Sequence, residues 1–132
     1  MERTLMIIKP DAIAARHAGE ILSRVELEGF QITGLRMVHL AKEQAESFYA
    51  IHRERPFFRD LVRYMTSGPV VVGQLERQDA VEYWRKVIGA TDPTKAAAGT
   101  IRNFYGTNIE ANAVHGSDSV ENGQRETDFF FA

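Results

Sequence analysis

Apolar residues recur along the chain in short runs, and their spacing alternates between strand and helix patterns. Residues 3–9 are apolar on both faces, as expected of a central strand, and 67–75 form a turn that leads into another buried strand. Residues 30–40 predict a further strand with a bulge at Gly34, and a short strand leads into His115. We expect the two most apolar strands, 3–9 and 69–75, at the centre of a sheet.

Helical spacing accounts for most of the chain between these strands. The pattern predicts one helix that stops at Gly29, two short helices at 42–52 and 57–66, a helix from Asp79 to Gly89, and a last helix capped by Ser119. The D-x-x-E spacing of Asp79 and Glu82 is a typical helix start signal. Gly123 is expected to weaken the last helix, and "DFFF" after it to close the core.

Residues 89–111 show no convincing period, and so long an irregular stretch in a small domain predicts a functional loop. Without it, the elements reduce to β-α-β-β-α-β. This order predicts the α+β, ferredoxin-like fold: a four-stranded antiparallel sheet covered by helices, with the helices on one face. We expect residues 1–132 to form a single domain.

The composition of the chain excludes several classes of site and of binding protein. The chain has 132 residues and no cysteine, which excludes disulfides and thiolate zinc sites and fits a reducing cytosol. The first apolar run is too short for a signal peptide or a membrane span. A net charge of −2 excludes a polyanion binder that works by bulk charge. Twelve arginines against four lysines still favour recognition of phosphate or carboxylate at particular positions.

His115 lies among small and polar residues, unlike a core residue. Three roles stay open for it from the residues alone: nucleophile, metal ligand, or polar side chain at a strand end. No second histidine lies near it in sequence, which weakens the metal reading. A neutral imidazole is a good nucleophile near pH 7, and attack on phosphorus would also need converging cations. For His17, His39 and His52 we favour surface or strand-edge positions.

Six motifs, in order along nearly the whole chain, identify a family. They are "KPD" (9–11), "RPFF" (55–58), "SGPVV" (67–71), "GATDP" (89–93), "GTIR" (99–102) and "NAVHGSDS" (112–119). Together they resemble nucleoside diphosphate kinase. The resemblance implies transfer of the γ-phosphate of a nucleoside triphosphate, mainly ATP, to nucleoside diphosphates, which maintains NTP and dNTP pools.

The resemblance also implies roles for individual residues in a two-step, ping-pong reaction. His115 would attack through its δ nitrogen and become phosphohistidine, Glu126 would orient the ring, and Ser117 would support Glu126. The phosphate-contacting positions of the family correspond to Lys9, Tyr49, Arg85, Thr91 and Arg102. Asn112, again with Lys9, corresponds to a sugar contact, and the slot for the base corresponds to Phe57, Leu61 and Ile109.

For cofactors and partners, the resemblance implies Mg²⁺ that arrives on the nucleotide phosphates, with Asp118 as a contact through water and no dedicated protein ligands. It implies a homo-oligomer, because Pro93 lies in the loop associated with assembly, and a cytoplasmic enzyme without a membrane or specific nucleic-acid partner. The chain departs from the family pattern at Ala12 and Phe104, and Phe104 leaves the local structure around Arg102 in doubt.

Two other classes compete with the enzyme. The first is a catalytically idle ferredoxin-like module that binds nucleotides or single-stranded nucleic acid. RNA-binding sheets of this topology need exposed aromatic residues on their strands, and 3–9 and 69–75 offer none. The second is a regulatory or scaffolding oligomer, which replacement of His115 or Lys9 would favour; both residues are present.

Overall fold

The apolar runs of the sequence form one four-stranded antiparallel sheet in the order β2-β3-β1-β4. The computed structural model describes all residues, 1–132. The strands are β1 (Glu2–Ile8), β2 (Gln31–Val38), β3 (Val70–Arg77) and β4 (Val114–His115). The two most apolar strands, β1 and β3, are central, as the sequence predicts. The predicted bulge is also confirmed, since the β2–β3 register shifts between Ile32 and Gly34.

Seven α-helices and two short 3₁₀ turns connect the strands. The helices are α1 (Pro10–Ala14), α2 (Ala18–Leu27), α3 (Lys42–Phe48), α4 (Phe58–Met65), α5 (Ala80–Ile88), α6 (Ile101–Tyr105) and α7 (Val120–Phe131). The 3₁₀ turns are Ala50–His52 and Pro93–Lys95. None of the helices combines the length and apolar character that crossing a membrane requires.

Helices cover both faces of the sheet, so the prediction of helices on one face is wrong. Side chains of successive strand residues point to opposite faces, and both faces of β1 are apolar. Met6 and Ile8 face a cluster that includes Trp84 of α5. Leu5 and Ile7 face a second cluster, formed with α3, α4 and the end of α7. Because both faces of the central strands are buried, the sheet is the middle layer of three.

Two segments differ from the sequence prediction. The helix expected from strand one to Gly29 is interrupted, because Arg16 adopts a left-handed conformation with φ 66°. The stretch 89–111 contains α6, whose first turn is capped by the Thr100 hydroxyl accepting from the Asn103 amide. The exposed Phe104 lies within α6, so it does not disrupt the local structure around Arg102.

Of the two residues predicted to begin helices, one makes a capping hydrogen bond and the other does not. Ser119 caps α7, with its hydroxyl accepting from the Asn122 amide at 3.0 Å. Asp79 is the N-cap residue of α5 and Gly89 its C-cap residue, so the predicted start and end of this helix are confirmed. The Asp79 carboxylate pairs with Arg77 and makes no capping hydrogen bond.

The last helix is continuous for 12 residues despite its glycine. Gly123 is buried, and a Cβ atom there would lie only 2.2 Å from the carbonyl oxygen of Arg3 in β1. The glycine therefore lets α7 approach the sheet closely. Of the terminal "DFFF", Phe130 is buried in the core and Phe131 packs against it half-buried, whereas Phe129 stays exposed.

We predict opposite stability effects for alanine at two helical glycines. Gly123→Ala should lower the free energy of unfolding by about 1–3 kcal/mol, because the methyl group meets the Arg3 backbone. Gly19→Ala in α2 meets nothing within 4 Å and should raise it by about 0.5 kcal/mol. Denaturation in guanidinium chloride at one protein concentration measures both. Equal effects at the two sites would contradict the close approach of α7.

Candidate active site

His115 is held by its backbone at the end of a short edge strand. It pairs with Ile7 of the central strand β1, and its carbonyl oxygen accepts a hydrogen bond from the Trp84 indole at 3.2 Å. Ala113, just before β4, adopts a left-handed conformation with φ 76°. Its amide donates to the Asp11 carboxylate and its carbonyl accepts from the Lys9 amide, so this strained turn is fixed on both sides.

The His115 side chain contacts a buried carboxylate from α7. Its Nε2 lies 2.8 Å from Oε1 of Glu126, which also accepts a hydrogen bond from the Ser117 hydroxyl at 2.7 Å. The Ser117 hydroxyl in turn accepts from the Leu5 amide, and its own amide donates to Thr4. Because Nε2 faces Glu126, the other ring nitrogen, Nδ1, is left without a protein partner.

The ionisation of Glu126 follows from these contacts. Burial alone would raise the pKa of its carboxyl group, but the hydrogen bonds from His115 and Ser117 and the charge of Arg125 outweigh burial and lower it. Glu126 therefore stays negative at neutral pH. Tyr49 lies in the same buried region, where burial and then the charge of Glu126 raise the pKa of its hydroxyl. Tyr49 therefore stays protonated and can donate a hydrogen bond.

Lys9 ends the central strand and reaches the loop before His115. Its ammonium donates to Oδ1 of Asn112 at 2.8 Å, and the Asn112 amide donates to the carbonyl of Thr91 at 3.0 Å. Desolvation and then the charge of Arg102 lower the pKa of Lys9 to about 8, although Asp11 and Glu110 act in the opposite direction. The two cations are therefore close enough to repel each other.

Arg102 is buried and fixed by two backbone carbonyls. Its guanidinium donates to Gly89 at 3.0 Å and to Val114 at 2.9 Å, while its Nε has no hydrogen-bond partner. Burial and then the charge of Arg85 lower the pKa of Arg102 to about 10. An unpaired buried donor and two repelling guanidinium groups are typical of a site that receives an anion.

Two adjacent pockets lie beside His115. A cleft of about 870 Å³ is lined by 14 residues, among them Arg85, Thr91 and Arg102. A smaller pocket of about 70 Å³ is lined by His115, Tyr49 and Glu126. Gly116 and Asp118 line both pockets, so the cleft with the cations adjoins the pocket that holds the histidine.

The three residues predicted for a base slot lie outside this cleft. Phe57 immediately precedes α4 and is 47% exposed, Leu61 is half-buried in α4, and Ile109 is 61% exposed. The Phe57 ring lies 5.5 Å from the ring of His52, which lines the small pocket. Phe57 is thus an exposed aromatic face connected to the histidine pocket by a second ring.

Candidate metal ligands are sparse. Asp118 is exposed at the junction of the two pockets, and Asn122 donates to its carboxylate. The chain contains no group of three or more histidine, aspartate or glutamate side chains arranged to hold a metal ion. A cation at this position would take its other oxygen ligands from a bound nucleotide and water.

Four contacts at this site escape sequence reasoning. Trp84 reads from its spacing as a core residue, and Thr4 as an ordinary strand residue. Asp11 is noticed only within the "KPD" motif, yet it also accepts from the hydroxyl of Tyr64 in α4. Arg125 reads as a solvated helix residue, although it pairs with Glu126. The contacts of Trp84, Thr4 and Asp11 depend on tertiary packing, which local spacing does not reveal.

Known proteins resemble this chain along nearly its whole length. A family model described as "Nucleoside diphosphate kinase" matches residues 2–132. The chain is 58% identical over 131 residues to the nucleoside diphosphate kinase of Halorhodospira halophila, with 99% of this chain and 93% of that protein aligned. It is 57% identical over 132 residues to that of Nitratiruptor, covering all of this chain and 96% of the relative.

Solved structures agree as well. The nucleoside diphosphate kinase of Aquifex aeolicus superposes with a TM-score of 0.97 and 48% identity, over 99% of this chain and 95% of that one. The enzyme of Encephalitozoon cuniculi superposes with a TM-score of 0.95 and 40% identity, over 99% and 89%. From its fold and its sequence along almost the entire length, the chain belongs to the nucleoside diphosphate kinase family.

Proposed function

We propose that this nucleoside diphosphate kinase transfers the γ-phosphate of a nucleoside triphosphate, mainly ATP, to nucleoside diphosphates through a phosphohistidine at His115, maintaining NTP and dNTP pools. The observation that carries this proposal is the buried Glu126–Ser117 pair behind His115, which leaves Nδ1 free beside a cationic cleft. An oriented neutral imidazole and nearby cations are the two requirements of attack on phosphorus.

The reaction has two balanced steps. In the first, the Nδ1 lone pair of His115 forms a bond to the γ-phosphorus, the bond to the bridging oxygen breaks, and the nucleoside diphosphate leaves. In the second, the terminal phosphate oxygen of another nucleoside diphosphate attacks the same phosphorus, and the histidine nitrogen leaves with its lone pair. Glu126 accepts the Nε2 hydrogen bond throughout, which stabilises the positive charge that the ring gains on phosphorylation.

Different residues bind different phosphates of the nucleotide in this scheme. Lys9, whose ammonium lies near Arg102, and the protonated Tyr49 act on the transferred group. Arg85, Thr91 and Arg102, which line the larger cleft, bind the remaining phosphates. Charge-assisted hydrogen bonds contribute about 1.5–3 kcal/mol each, so several of them dominate affinity. Asn112 contacts the sugar in this scheme, and it must then exchange one of its present partners, Lys9 or Thr91.

The base stacks on Phe57, with Leu61 and Ile109 beside it. The exposed faces of Phe57 and Ile109 support this assignment. Stacking on an aromatic ring contributes about 1–3 kcal/mol per base and tolerates every base. Broad nucleotide specificity therefore follows from an apolar slot without polar groups that read the base edges.

Mg²⁺ enters with the nucleotide as part of the substrate complex. When bound, it neutralises phosphate charge and favours attack on phosphorus. The exposed carboxylate of Asp118, at the junction of the two pockets, supports a contact to the hydrated ion through water.

A nucleic-acid binding module is a poorer interpretation. A sheet that binds RNA needs an open face with aromatic residues on its strands. Here both faces of the central strands are covered by helices.

In our proposal, residues 1–132 act as a single kinase domain. The enzyme works in the cytoplasm, where nucleotide pools are kept, and has no specific nucleic-acid partner.

The enzyme proposal predicts a covalent intermediate on one residue. Incubation with ATP and Mg²⁺ should add one phosphoryl group to the protein, measured by intact mass, and brief acid treatment should remove it. His115→Ala should abolish labelling, whereas His39→Ala should retain it, because His39 contacts the carbonyl of Thr66 away from the site. An intact fold in the unlabelled His115 variant, checked by circular dichroism, completes the control. Persistent labelling of His115→Ala would disprove the assignment.

The lowered pKa of Lys9 predicts how nucleotide affinity depends on pH. The charged form of Lys9 is lost as pH rises through about 8, whereas nucleotide phosphates are already fully ionised there. ADP affinity, measured by calorimetry, should therefore fall by up to about tenfold per pH unit above pH 8. Lys9→Met should bind weakly with little pH dependence. Lys42→Met, an exposed control on α3, should keep the steep decline; a flat wild-type profile would exclude Lys9 from phosphate binding.

We also propose that the chain forms a homo-oligomer, and the edge strand β2 supports this. Leu35 and Met37 on β2 are 47% and 63% exposed, and such apolar residues on an unpaired sheet edge favour association. Pro93 is buried within its own loop, against Gly106. Light scattering after size exclusion should give a multiple of the 14.9 kDa monomer. A monomer at micromolar concentration would contradict this proposal.

A further inference from the structure

Arg125 lies at the entrance of the small pocket that holds His115, and none of the roles described so far uses it. It is an exposed residue in the second turn of α7, and its side chain lines the pocket together with His115 and Glu126. One of its guanidinium nitrogens lies 3.5 Å from Oε2 of Glu126. The two oxygens of that carboxylate are thus divided: Oε1 faces His115 and Ser117, and Oε2 faces Arg125.

The guanidinium is directed by its own helix. Its Nε donates to Oδ1 of Asn122 at 3.3 Å, and the Asn122 amide donates to the carboxylate of Asp118. Asp118, Asn122, Arg125 and Glu126 form a connected chain of polar contacts, which we call the α7 chain. It joins the junction of the two pockets to the carboxylate behind the histidine.

The need for such a counter-charge follows from the chemistry of a nucleophilic imidazole. His115 can attack only when Nδ1 is unprotonated. A buried carboxylate 2.8 Å from Nε2 orients the ring, but it also favours the doubly protonated imidazolium, which cannot attack. A positive group on the far oxygen of the same carboxylate weakens that preference while leaving the orienting hydrogen bond in place.

We propose that Arg125 is a positioning residue which, by pairing with the outer oxygen of Glu126, limits the pull of that carboxylate on a second proton at His115. The imidazole then keeps the orientation that Glu126 gives it, with a weaker attraction for the second proton. This role rests on the proposed function of His115, because Arg125 acts on the nucleophile through Glu126.

Other charged groups face the same region and must be separated from this effect. Tyr49 and His52 line the pocket from the segment after α3, and Asp118 lines it from the loop before α7. Across the shared junction, Arg85 and Arg102 line the larger cleft. Only Arg125 among the cations forms an ion pair with Glu126, so changing its charge alters the carboxylate most directly.

The test measures His115 itself and the reaction it performs. In the substrate-free protein, the proton NMR signals of the imidazole rings are followed against pH, with His115→Ala used to assign His115. Arg125→Gln should raise the midpoint of His115 by about half a pH unit, since an exposed ion pair has a modest effect. Arg125→Lys keeps the charge and should restore most of the wild-type midpoint.

The rate of phosphoenzyme formation gives the second readout. Arg125→Gln should slow it about two- to threefold at pH 6, where the extra protonation is felt, and leave it unchanged at pH 8. Arg63→Gln is the matched control. Arg63 also pairs with an acidic residue on its helix, Asp60, but it is 79% exposed on α4 and lies away from the pocket. It should shift neither readout.

Two outcomes would overturn the inference. An unchanged His115 midpoint in Arg125→Gln would make Arg125 an ordinary surface residue. Slower phosphorylation at every pH with an unchanged midpoint would indicate a direct contact with substrate or a structural role. Failure of the proposed function is distinguishable, because the wild-type protein itself would then take up no phosphoryl group, whereas the NMR shift needs no substrate.

Discussion

The hydrogen bond between His115 and Glu126 is the interaction on which the rest of the site depends. It joins two consecutive elements, the edge strand β4 and the final helix α7. For the carboxylate to reach the ring, α7 must lie almost against the backbone of β1, and Gly123 provides that proximity. The Ser117 hydroxyl donates to the same carboxylate and accepts from the Leu5 amide, which links the carboxylate to the central strand β1. The orientation of the histidine is thus determined by how closely one helix packs.

Much of the fold could be predicted from the pattern of apolar residues. The central position of β1 and β3, the bulge at Gly34 and the Ser119 cap all follow from local signals. The one-face arrangement fails because strands that are apolar on both faces require a layer of helices on each face of the sheet. The prediction of one uninterrupted helix before Gly29 fails for a different reason. The helix breaks at Arg16, and an arginine carries no sequence signal for a left-handed conformation.

Fewer features of the candidate site than of the fold could be predicted from residue spacing. Residue spacing could isolate His115 and the unusual loop, but it left three roles open for the histidine. The six motifs then supplied the phosphate residues by resemblance. Neither route could supply the contacts made to main-chain atoms, such as those of Arg102 with the carbonyls of Gly89 and Val114. Such contacts depend on tertiary geometry, and a carbonyl oxygen is the same in every residue.

The crowding of positive charge around Lys9 and Arg102 affects the life of the protein as well as its chemistry. Burial lowers the pKa of Lys9 and of Arg102, and a neighbouring arginine lowers each further: Arg102 acts on Lys9, and Arg85 acts on Arg102. The folded chain without nucleotide therefore holds desolvated positive charges that repel each other. A polyphosphate would act as the missing counterion. By mass action, any ligand that binds only the folded state adds to its stability in proportion to the logarithm of its concentration. The resistance of the protein to unfolding would therefore rise with the concentration of nucleotide around it.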